Sequence, residues 1–378
     1  MRSLHGEVGR RLFVGIPGAE LDDATARLLE GIRPGGIILF GRNVVSAAQT
    51  ARLTRDLRRR LGPRLCICLD HEGGRVNRLA KLTGAVPSAP QLAYLGAESL
   101  ARRQGQLAGR LLRELGVNAN LAPVLDLWLQ PGVDNSVPDR CWSRDPDEVT
   151  RLAGAFLRAM QAEGVLGCGK HFLGYGAADK DPHKVLPRVN RSRAALLRDD
   201  LRPYAKLWAN GRGPLRMIML SHAHLRAFHG ATLTPACVSS KLVGDLLRRR
   251  LGFRGVTITD DLEMGAISRT LPIGEAATRG LQLGVDFLLI CHTPDAIRAA
   301  FEASIKAVAD RKVAPSVMRE AGARLDRLTA RLPSARAFSS RRFDALVRES
   351  RAFTACVFAR LPERLRKTDA RWGPIGEA

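Results

Sequence analysis

Eight short apolar runs, separated by longer amphipathic segments, constrain the fold of this chain more than any other feature of its sequence. The amphipathic segments, such as 46–62, 98–116 and 239–252, carry apolar residues at spacings of three and four, which is typical of helices. Continuous apolar strands that alternate with helices predict a parallel sheet, and eight of them favour a closed (β/α)8 TIM-type barrel over the alternative, an open doubly wound sheet. The predicted strands are residues 11–16, 35–40, 65–70, 119–127, 166–172, 217–223, 255–261 and 284–291.

The composition changes after Leu332-Pro333-Ser334, where the chain becomes basic and turn-rich before a last helical pattern. We therefore predict one barrel domain over residues 1–333. Residues 334–378 are predicted to form a basic, helical C-terminal extension that packs on the barrel and ends in a frayed segment.

Several classes of protein are disfavoured by what the sequence lacks. The sequence contains no run of 18 apolar residues, so no membrane span is predicted. The N-terminus lacks the apolar core of a signal peptide. We therefore expect a cytoplasmic protein with no membrane partner. The seven cysteines include no CxxC pair and no zinc-ligand spacing, so we expect reduced thiols and no metal site. Cys66 and Cys68 alternate within an apolar run, which favours buried strand positions. We expect a monomer or a weak oligomer.

The formal net charge of +23 has two interpretations. It could indicate a nucleic-acid or anionic-surface partner. The excess is spread along an Arg-rich chain, aromatic residues make up only 5% of it, and no nucleic-acid motif is present. We therefore do not expect a nucleic-acid partner, although the positive field could attract an anionic substrate.

Polar residues gather at the carboxyl ends of the predicted strands. In a barrel these ends meet on one face, where the active sites of such folds are built, so together the residues favour a catalytic site there. They are Asp70, Asp126, Lys170, His171, His222, Asp260 and His292.

The stretch 170–183, KHFLGYGAADKDPH, carries the strongest functional signal. A glycine-rich loop follows Lys170-His171 and brings Asp181 and His183 two residues apart. A carboxylate beside an imidazole can fix the tautomer of the ring and stabilise its cation, which is a way to build a proton-transfer group near neutral pH.

This stretch resembles the signature of the bacterial β-N-acetylhexosaminidases among the family-3 glycoside hydrolases, which runs Lys-His-Phe-Pro-Gly-His-Gly, five residues, then Asp-Ser-His. Three positions depart from it, where Leu173 replaces Pro, Tyr175 replaces His and Pro182 replaces Ser. Further matches follow the same order along the chain. They are PGGIILFGRN (34–43), DHEGGRVNR (70–78), NSVPDRCWSRDP (135–146), SHAHL (221–225) and GVTITDDLEMGAI (255–267).

The resemblance implies a barrel enzyme that needs no cofactor and hydrolyses a glycoside with retention. It implies that Asp260 is the nucleophile and that His183, with Asp181, is the acid/base. Adjacent strand residues point to opposite faces, so we expect Asp261 not to share the role of Asp260. The residues implied to bind the sugar are Asp70, Arg78, Arg140, Lys170 and His171.

The substrate implied by the resemblance is a small carbohydrate with a non-reducing, β-linked N-acetylglucosamine. In the family this sugar is attached to the anhydromuramic sugar of cytosolic cell-wall fragments, which places the reaction in peptidoglycan recycling. Two alternatives stay open because of the changed loop. One is a transferase of the same fold that passes the glycosyl group to phosphate, and the other is a non-catalytic binder of sugar or nucleic acid.

Overall fold

The computed structural model describes residues 4–366, and its centre is a sheet of eight parallel strands hydrogen-bonded in chain order. The last strand returns to pair with the first, so that β8 lies beside β1. The strands are β1 (Leu12–Gly15), β2 (Gly36–Leu39), β3 (Cys66–Leu69), β4 (Ala119–Asn120), β5 (Leu166–Phe172), β6 (Met217–Leu220), β7 (Val256–Thr259) and β8 (Leu288–Ile290).

A narrow junction between β7 and β8 closes the cylinder. Ile258 and Phe287 form a parallel bridge, and the Phe287 amide donates to the Thr257 carbonyl at 2.9 Å. The Thr259 amide in turn donates to the Phe287 carbonyl at 3.0 Å. The predicted TIM-type barrel is therefore confirmed, and the open doubly wound sheet is wrong.

The largest difference from the predicted strands is in β4, which was predicted over residues 119–127 and ends at Asn120. Pro123 has no amide hydrogen to donate to a neighbouring strand, so the regular ladder stops before it. Beyond the proline, Val124 forms an isolated bridge to Lys170, and the Leu125 amide donates to the Lys170 carbonyl at 2.6 Å.

Helices surround the sheet, and the three segments quoted as amphipathic are all helical. Ser46 caps the first of them by accepting a hydrogen bond from the Gln49 amide at 3.2 Å. The third, Ser240–Arg250, has i→i+5 hydrogen bonds. The longer helices are Asp23–Ile32, Ala47–Leu61, Glu98–Glu114, Pro146–Ala162, Arg202–Trp208, Ser240–Arg250, Ile273–Gln282, Pro294–Ala309 and Pro315–Thr329.

Shorter elements complete the connections. The short helices are Leu4–Gly9, Ala80–Thr83, Ala89–Tyr94, Arg193–Ala195 with its continuation Leu196–Asp200, Arg226–His229 and Gly265–Ser268, and single 3-10 turns are Gly41–Asn43, Tyr175–Ala177, Ala209–Gly211 and Ala236–Val238. Two small ribbons lie outside the barrel, one pairing His71–Gly73 with Val76–Asn77 and the other pairing Arg188–Val189 with His224–Leu225.

The strands divide the core into two apolar layers because successive side chains point to opposite faces. Phe13, Cys66 and Cys68 belong to the cluster inside the barrel, which confirms the prediction that both cysteines are buried in a strand. Leu325 and Leu328 of the helix Pro315–Thr329 join the same cluster. The other layer lies between the strands and the surrounding helices.

The described part of the predicted C-terminal extension is helical, with helices Ser340–Ala359 and Glu363–Arg366. Ser340–Ala359 packs on the barrel helix Glu98–Glu114, where Arg342 pairs with Glu114 at 2.9 Å and Arg110 pairs with Glu349 at 2.9 Å. The frayed end predicted for the tail falls outside the described residues. A domain boundary at residue 333 stays a prediction.

Within residues 4–366, every helix is too short or too polar to cross a lipid bilayer.

Candidate active site

A cleft of about 680 Å³ opens at the carboxyl ends of the strands, where the polar residues were predicted to gather. Strand ends and the loops after them supply its walls, as in other barrels. Seven of the eight predicted site residues line it, and the eighth, Asp181, lies directly behind His183. The seven are Asp70, Arg78, Arg140, Lys170, His171, His183 and Asp260.

One wall of the cleft is a buried network of ion pairs. The Lys170 ammonium lies 2.6 Å from Asp70 Oδ1 and 2.6 Å from Glu72 Oε1. Arg140 donates to both oxygens of Glu72, from Nε and Nη2, at 2.9 Å each. Burial alone would raise the pKa of Glu72, but Arg140 and Lys170 hold it far below its usual range. Glu72 is therefore held as a carboxylate between the two cations, and these ion pairs fix the four side chains in position.

The network continues through His171. Its Nδ1 lies 2.7 Å from Asp126 Oδ2, and its backbone amide donates to the same oxygen at 3.0 Å. A carboxylate oxygen accepts, so Nδ1 carries the proton. Nε2 then faces Arg140 Nη2 at 3.4 Å, which places the imidazole between a carboxylate and a guanidinium.

Asp181 and His183 form a second, more exposed pair. His183 Nδ1 lies 2.7 Å from Asp181 Oδ1, and the His183 amide donates to the same oxygen at 3.0 Å. Burial would raise the pKa of Asp181, but the hydrogen bonds from His183 bring it below its ordinary value. Asp181 is therefore a carboxylate that orients the ring through Nδ1, and it makes no contact with Nε2.

Asp260 follows the last residue of β7 and is partly buried in the cleft. Burial would raise its pKa, but the charges of His171 and His222 and the Asp261 amide bring it below the ordinary value. The Asp261 amide donates to Asp260 Oδ1 at 2.9 Å. Asp260 is therefore held as a carboxylate.

Asp261 corrects part of the sequence prediction. It was expected on the opposite face from Asp260, but both residues line the cleft because β7 ends at Thr259 and the chain no longer has the strand's alternation. Asp261 Oδ1 accepts from the Glu263 and Cys291 amides at 3.1 and 3.2 Å. Its hydrogen bonds hold the loop after β7 against the end of β8.

Two further strand-end histidines surround the aspartates. His222 Nε2 donates to the Asp261 carbonyl at 2.8 Å, so this nitrogen carries a proton. Burial lowers the pKa of the ring. His292 Nε2 lies 3.3 Å from Asp261 Oδ2. Both were among the polar residues predicted to gather at this face.

The loop that carries His183 is attached to the segment that carries Asp260. The Gly265 amide donates to the His183 carbonyl at 3.1 Å, and the Ala266 amide donates to the Pro182 carbonyl at 2.9 Å. A Cβ at Gly265 would lie 2.4 Å from the Lys184 carbonyl oxygen, so a larger residue would push the loop away. Pro182 needs no amide proton here, because only its carbonyl takes part.

The two other departures from the family pattern are accommodated by the fold. Leu173 is fully buried. The Tyr175 hydroxyl donates to the Asn135 carbonyl at 2.8 Å, and Arg140 Nη1 donates to the Ser136 carbonyl at 2.8 Å. Tyr175 and Arg140 therefore support the same loop beside the cleft.

Glu72 is the main site residue that the sequence prediction missed. It lies between Asp70 and Gly73 in a motif already singled out, but its spacing gave no sign that it would pair with Arg140 and Lys170. The available signal was chemical, since a lysine and an arginine buried at one site require carboxylate partners.

Among residues 4–366, one group of side chains has ligand atoms close enough to hold a metal ion. Asp261, Cys291 and His292 bring them within 4.8 Å of one another. Burial holds the pKa of the Cys291 thiol well above its usual range, whereas a metal binds the thiolate. The absence of a metal stays a prediction.

Comparison with known proteins agrees with this geometry. Residues 9–328 match the family described as the glycosyl hydrolase family 3 N-terminal domain. A β-hexosaminidase of Thioalkalivibrio sulfidiphilus is 35% identical over 290 residues, which cover 75% of this chain and 81% of that protein. The structure is similar to a family-3 β-N-acetylglucosaminidase from Paenibacillus sp. FPU-7, with a TM-score of 0.86, 32% identity and coverage of 93% of this chain and 69% of that one.

Native NagZ from Neisseria gonorrhoeae is also similar, with a TM-score of 0.75, 27% identity and coverage of 92% of this chain and 97% of that one. The family match spans most of the chain and includes every predicted site residue. The chain therefore belongs to the family-3 glycoside hydrolases and is a glycoside hydrolase.

Proposed function

We propose that this protein is a retaining β-N-acetylglucosaminidase. It removes a non-reducing, β-linked N-acetylglucosamine through a glycosyl-enzyme on Asp260. The single observation that carries the proposal is the 2.7 Å contact between His183 Nδ1 and Asp181 Oδ1, on a loop that lines the same cleft as Asp260. The names β-hexosaminidase and β-N-acetylglucosaminidase of the similar proteins support the substrate class.

Asp260 is the nucleophile in this mechanism. The nearby histidines and the Asp261 amide hold its pKa below the ordinary value, so the attacking carboxylate is already ionised. It attacks the anomeric carbon and forms a covalent glycosyl-enzyme. The Asp261 amide, 2.9 Å from Oδ1, orients the carboxylate.

His183 supplies and removes the proton. Asp181 holds the proton on Nδ1 and stabilises the imidazolium, so that Nε2 can donate to the leaving oxygen. After the first sugar leaves, the neutral Nε2 takes a proton from the water that hydrolyses the glycosyl-enzyme. The ring is partly exposed, which leaves room for the leaving sugar on its outer side.

The buried ion-pair network recognises the sugar. Asp70 and Arg78 line the cleft beside Lys170, and their charged groups can hydrogen-bond sugar hydroxyls. Arg140 and His171 complete this wall. Because Glu72 and Asp126 already fix the wall in place, little ordering is needed when the sugar binds.

We further propose that the substrate is a peptidoglycan fragment and that the reaction belongs to peptidoglycan recycling. The structural similarity to NagZ supports this assignment. The positive charge of the chain would attract the carboxylates of such a fragment. A cytoplasmic location and a monomeric or weakly associated state stay predictions.

The first test is release of 4-nitrophenol from its β-N-acetylglucosaminide by wild type and Asp260→Ala. Wild type should turn over, and the loss in the variant should exceed about 10³-fold, because no covalent intermediate can form. Asp295→Ala removes a fully exposed carboxylate elsewhere and should leave the rate unchanged. Azide should restore turnover of the Asp260→Ala protein and yield the α-glycosyl azide.

Products formed with and without phosphate separate hydrolysis from phosphate-dependent transfer. Free N-acetylglucosamine in both conditions supports the hydrolase. A sugar phosphate that forms in place of free N-acetylglucosamine when phosphate is present would overturn the hydrolase proposal. A folded wild type that turns over no substrate in either condition would overturn it as well.

A further inference from the structure

A second large cleft lies at the opposite end of the barrel, where β5, β6 and β7 begin. Its volume is about 1100 Å³, compared with about 680 Å³ for the candidate active site. The helix Pro315–Thr329 and the segment after it form one wall, and the starts of the strands form the other. Nothing in the proposed reaction uses this end of the molecule.

The charge of this cleft is strongly one-sided. Its lining contains no carboxylate and five arginines, which are Arg216, Arg254, Arg324, Arg327 and Arg331. An Arg-rich composition does not by itself produce this pattern. A cleft elsewhere in the described chain mixes the two signs, since the one bordered by Arg59 and Arg60 also contains Glu20 and Asp56.

Few of these guanidinium charges are neutralised nearby. Arg324 donates to Asp286 Oδ1 at 2.8 Å, but the other oxygen of this buried carboxylate accepts from Arg248 at 2.7 Å. One buried negative charge is therefore shared by two positive ones, and the other carboxylate near Arg324, the exposed Glu320, lies 3.9 Å away. Within residues 4–366, Arg254, Arg327 and Arg331 form no ion pair.

Arg216 shows the effect of placing these positive charges close together. Arg216 is half-buried, and its Nη1 donates only to the Gly211 carbonyl, at 3.1 Å. Burial lowers the pKa of Arg216, and the nearby charge of Arg331 lowers it further. An anion between these guanidinium groups would remove the repulsion and satisfy their free donors.

The floor of the cleft is apolar. Trp208, Val256 and Leu328 are buried and line it, and Leu332 and Pro333 extend the apolar surface to the rim. Guanidinium forks above an apolar floor fit a molecule that has both an oxyanion and a hydrocarbon part, because the planar fork matches the oxygens of phosphate.

We propose that this cleft is a binding site for a small phosphorylated ligand with an apolar body. The phosphate contacts Arg327, Arg331 and Arg216, and the apolar part lies on Trp208 and Leu328. The site is separate from the reaction cleft, since it opens at the other end of the barrel.

The test is calorimetric titration of the full chain with phenyl phosphate and with inorganic phosphate at constant ionic strength. Phenyl phosphate should bind with one site per chain and more tightly than inorganic phosphate, since only phenyl phosphate covers the apolar floor. In Arg327→Gln/Arg331→Gln its affinity should fall at least about tenfold, because two charge-assisted contacts are lost.

The matched control is Arg27→Gln/Arg319→Gln, which removes the same charge from two exposed positions outside the cleft, one of them on the same helix. Its affinity for phenyl phosphate should stay within about twofold of wild type. An equal loss in both double variants would mean non-specific attraction to the basic surface and would overturn the proposal. Full affinity in the cleft variant, or no binding to wild type, would overturn it as well.

Discussion

The two halves of the candidate active site are built in opposite ways. The wall proposed to bind the sugar is a buried ionic network in which the side chains of Arg140 and Glu72 are each only 6% exposed. The Asp181–His183 pair lies on a loop, and the His183 side chain is 38% exposed. In the proposed mechanism, recognition therefore depends on charges fixed by burial, whereas proton transfer depends on a group that stays accessible to substrate and water.

This difference predicts that the two halves respond separately to mutation. Changes in the network should lower both stability and sugar binding, whereas changes in the exposed pair should lower activity and leave stability almost unchanged.

The largest expected effect is on activity, in His183→Ala. The kcat/KM for a natural disaccharide should fall about 10²–10⁴-fold, because the leaving oxygen loses its proton donor. The free energy of unfolding should change by less than about 0.5 kcal/mol, since the ring is exposed and its contacts are local. Steady-state kinetics and urea unfolding measure the two quantities. The 4-nitrophenyl substrate should lose much less rate, since nitrophenolate leaves without a proton, and an equal loss on both substrates would contradict the acid role.

Glu72→Ala should produce the largest loss of stability. It leaves Arg140 buried without its carboxylate, which costs about 3–5 kcal/mol of unfolding free energy in comparable buried pairs. Urea unfolding measures the change. Glu30→Ala breaks an Arg–Glu pair of similar length, 2.7 Å to Arg60, on the surface and should leave the protein's stability unchanged. Equal effects of the two variants would show that burial does not distinguish the network.

The same carboxylate predicts a pH dependence of stability. The pKa of Glu72 is far below its usual range in the folded protein, whereas in the unfolded chain it is about 4.3. Its contribution is therefore complete above about pH 5 and is lost as the pH falls below about 4. The difference in unfolding free energy between wild type and Glu72→Gln should be constant near neutral pH and shrink in acid. A difference that stays constant down to pH values near 3, which is about one unit below the unfolded pKa, would contradict the ionised state of Glu72.

Tyr175→Phe should have the smallest effect. It removes the hydroxyl that donates to the Asn135 carbonyl at 2.8 Å, which costs about 0.5–1.5 kcal/mol. Activity should fall only slightly, because the phenol supports the loop and does not carry the proposed chemistry. Unfolding and kinetics on one preparation test both statements, and a loss of rate as large as in His183→Ala would give Tyr175 a direct role.

The sequence predicted most of the barrel, because continuous apolar runs such as 166–172 are buried on both faces and stand out from the helices between them. It placed β4 poorly, since the apolar pattern continues past Pro123 although the hydrogen-bond ladder does not. Apolar periodicity reports burial, and it does not report which amides find partners.

In the candidate site, too, the sequence predicted which residues lie at strand ends but did not predict their local pairing. Strand-end positions placed Asp70, Lys170 and Asp260 in one cleft, because parallel strands bring their carboxyl ends together. The pairing of Glu72 with Arg140 depends on a loop geometry that no periodicity encodes. The placing of Asp261 beside Asp260 depends on where β7 ends, which the pattern of residues 255–261 overestimated by two residues.

The hydrogen bonds from Gly265 and Ala266 to the carbonyls of His183 and Pro182 have a consequence for how such an enzyme can be switched off. They connect the loop of the proposed proton donor to the segment of the proposed nucleophile through main-chain atoms alone, so neither side chain has to change for the pair to be separated. A single methyl group at Gly265 would be enough, since it would meet the Lys184 carbonyl oxygen at 2.4 Å. A homologue with every catalytic side chain intact and a larger residue at this position is therefore expected to bind sugar and fail to cleave it.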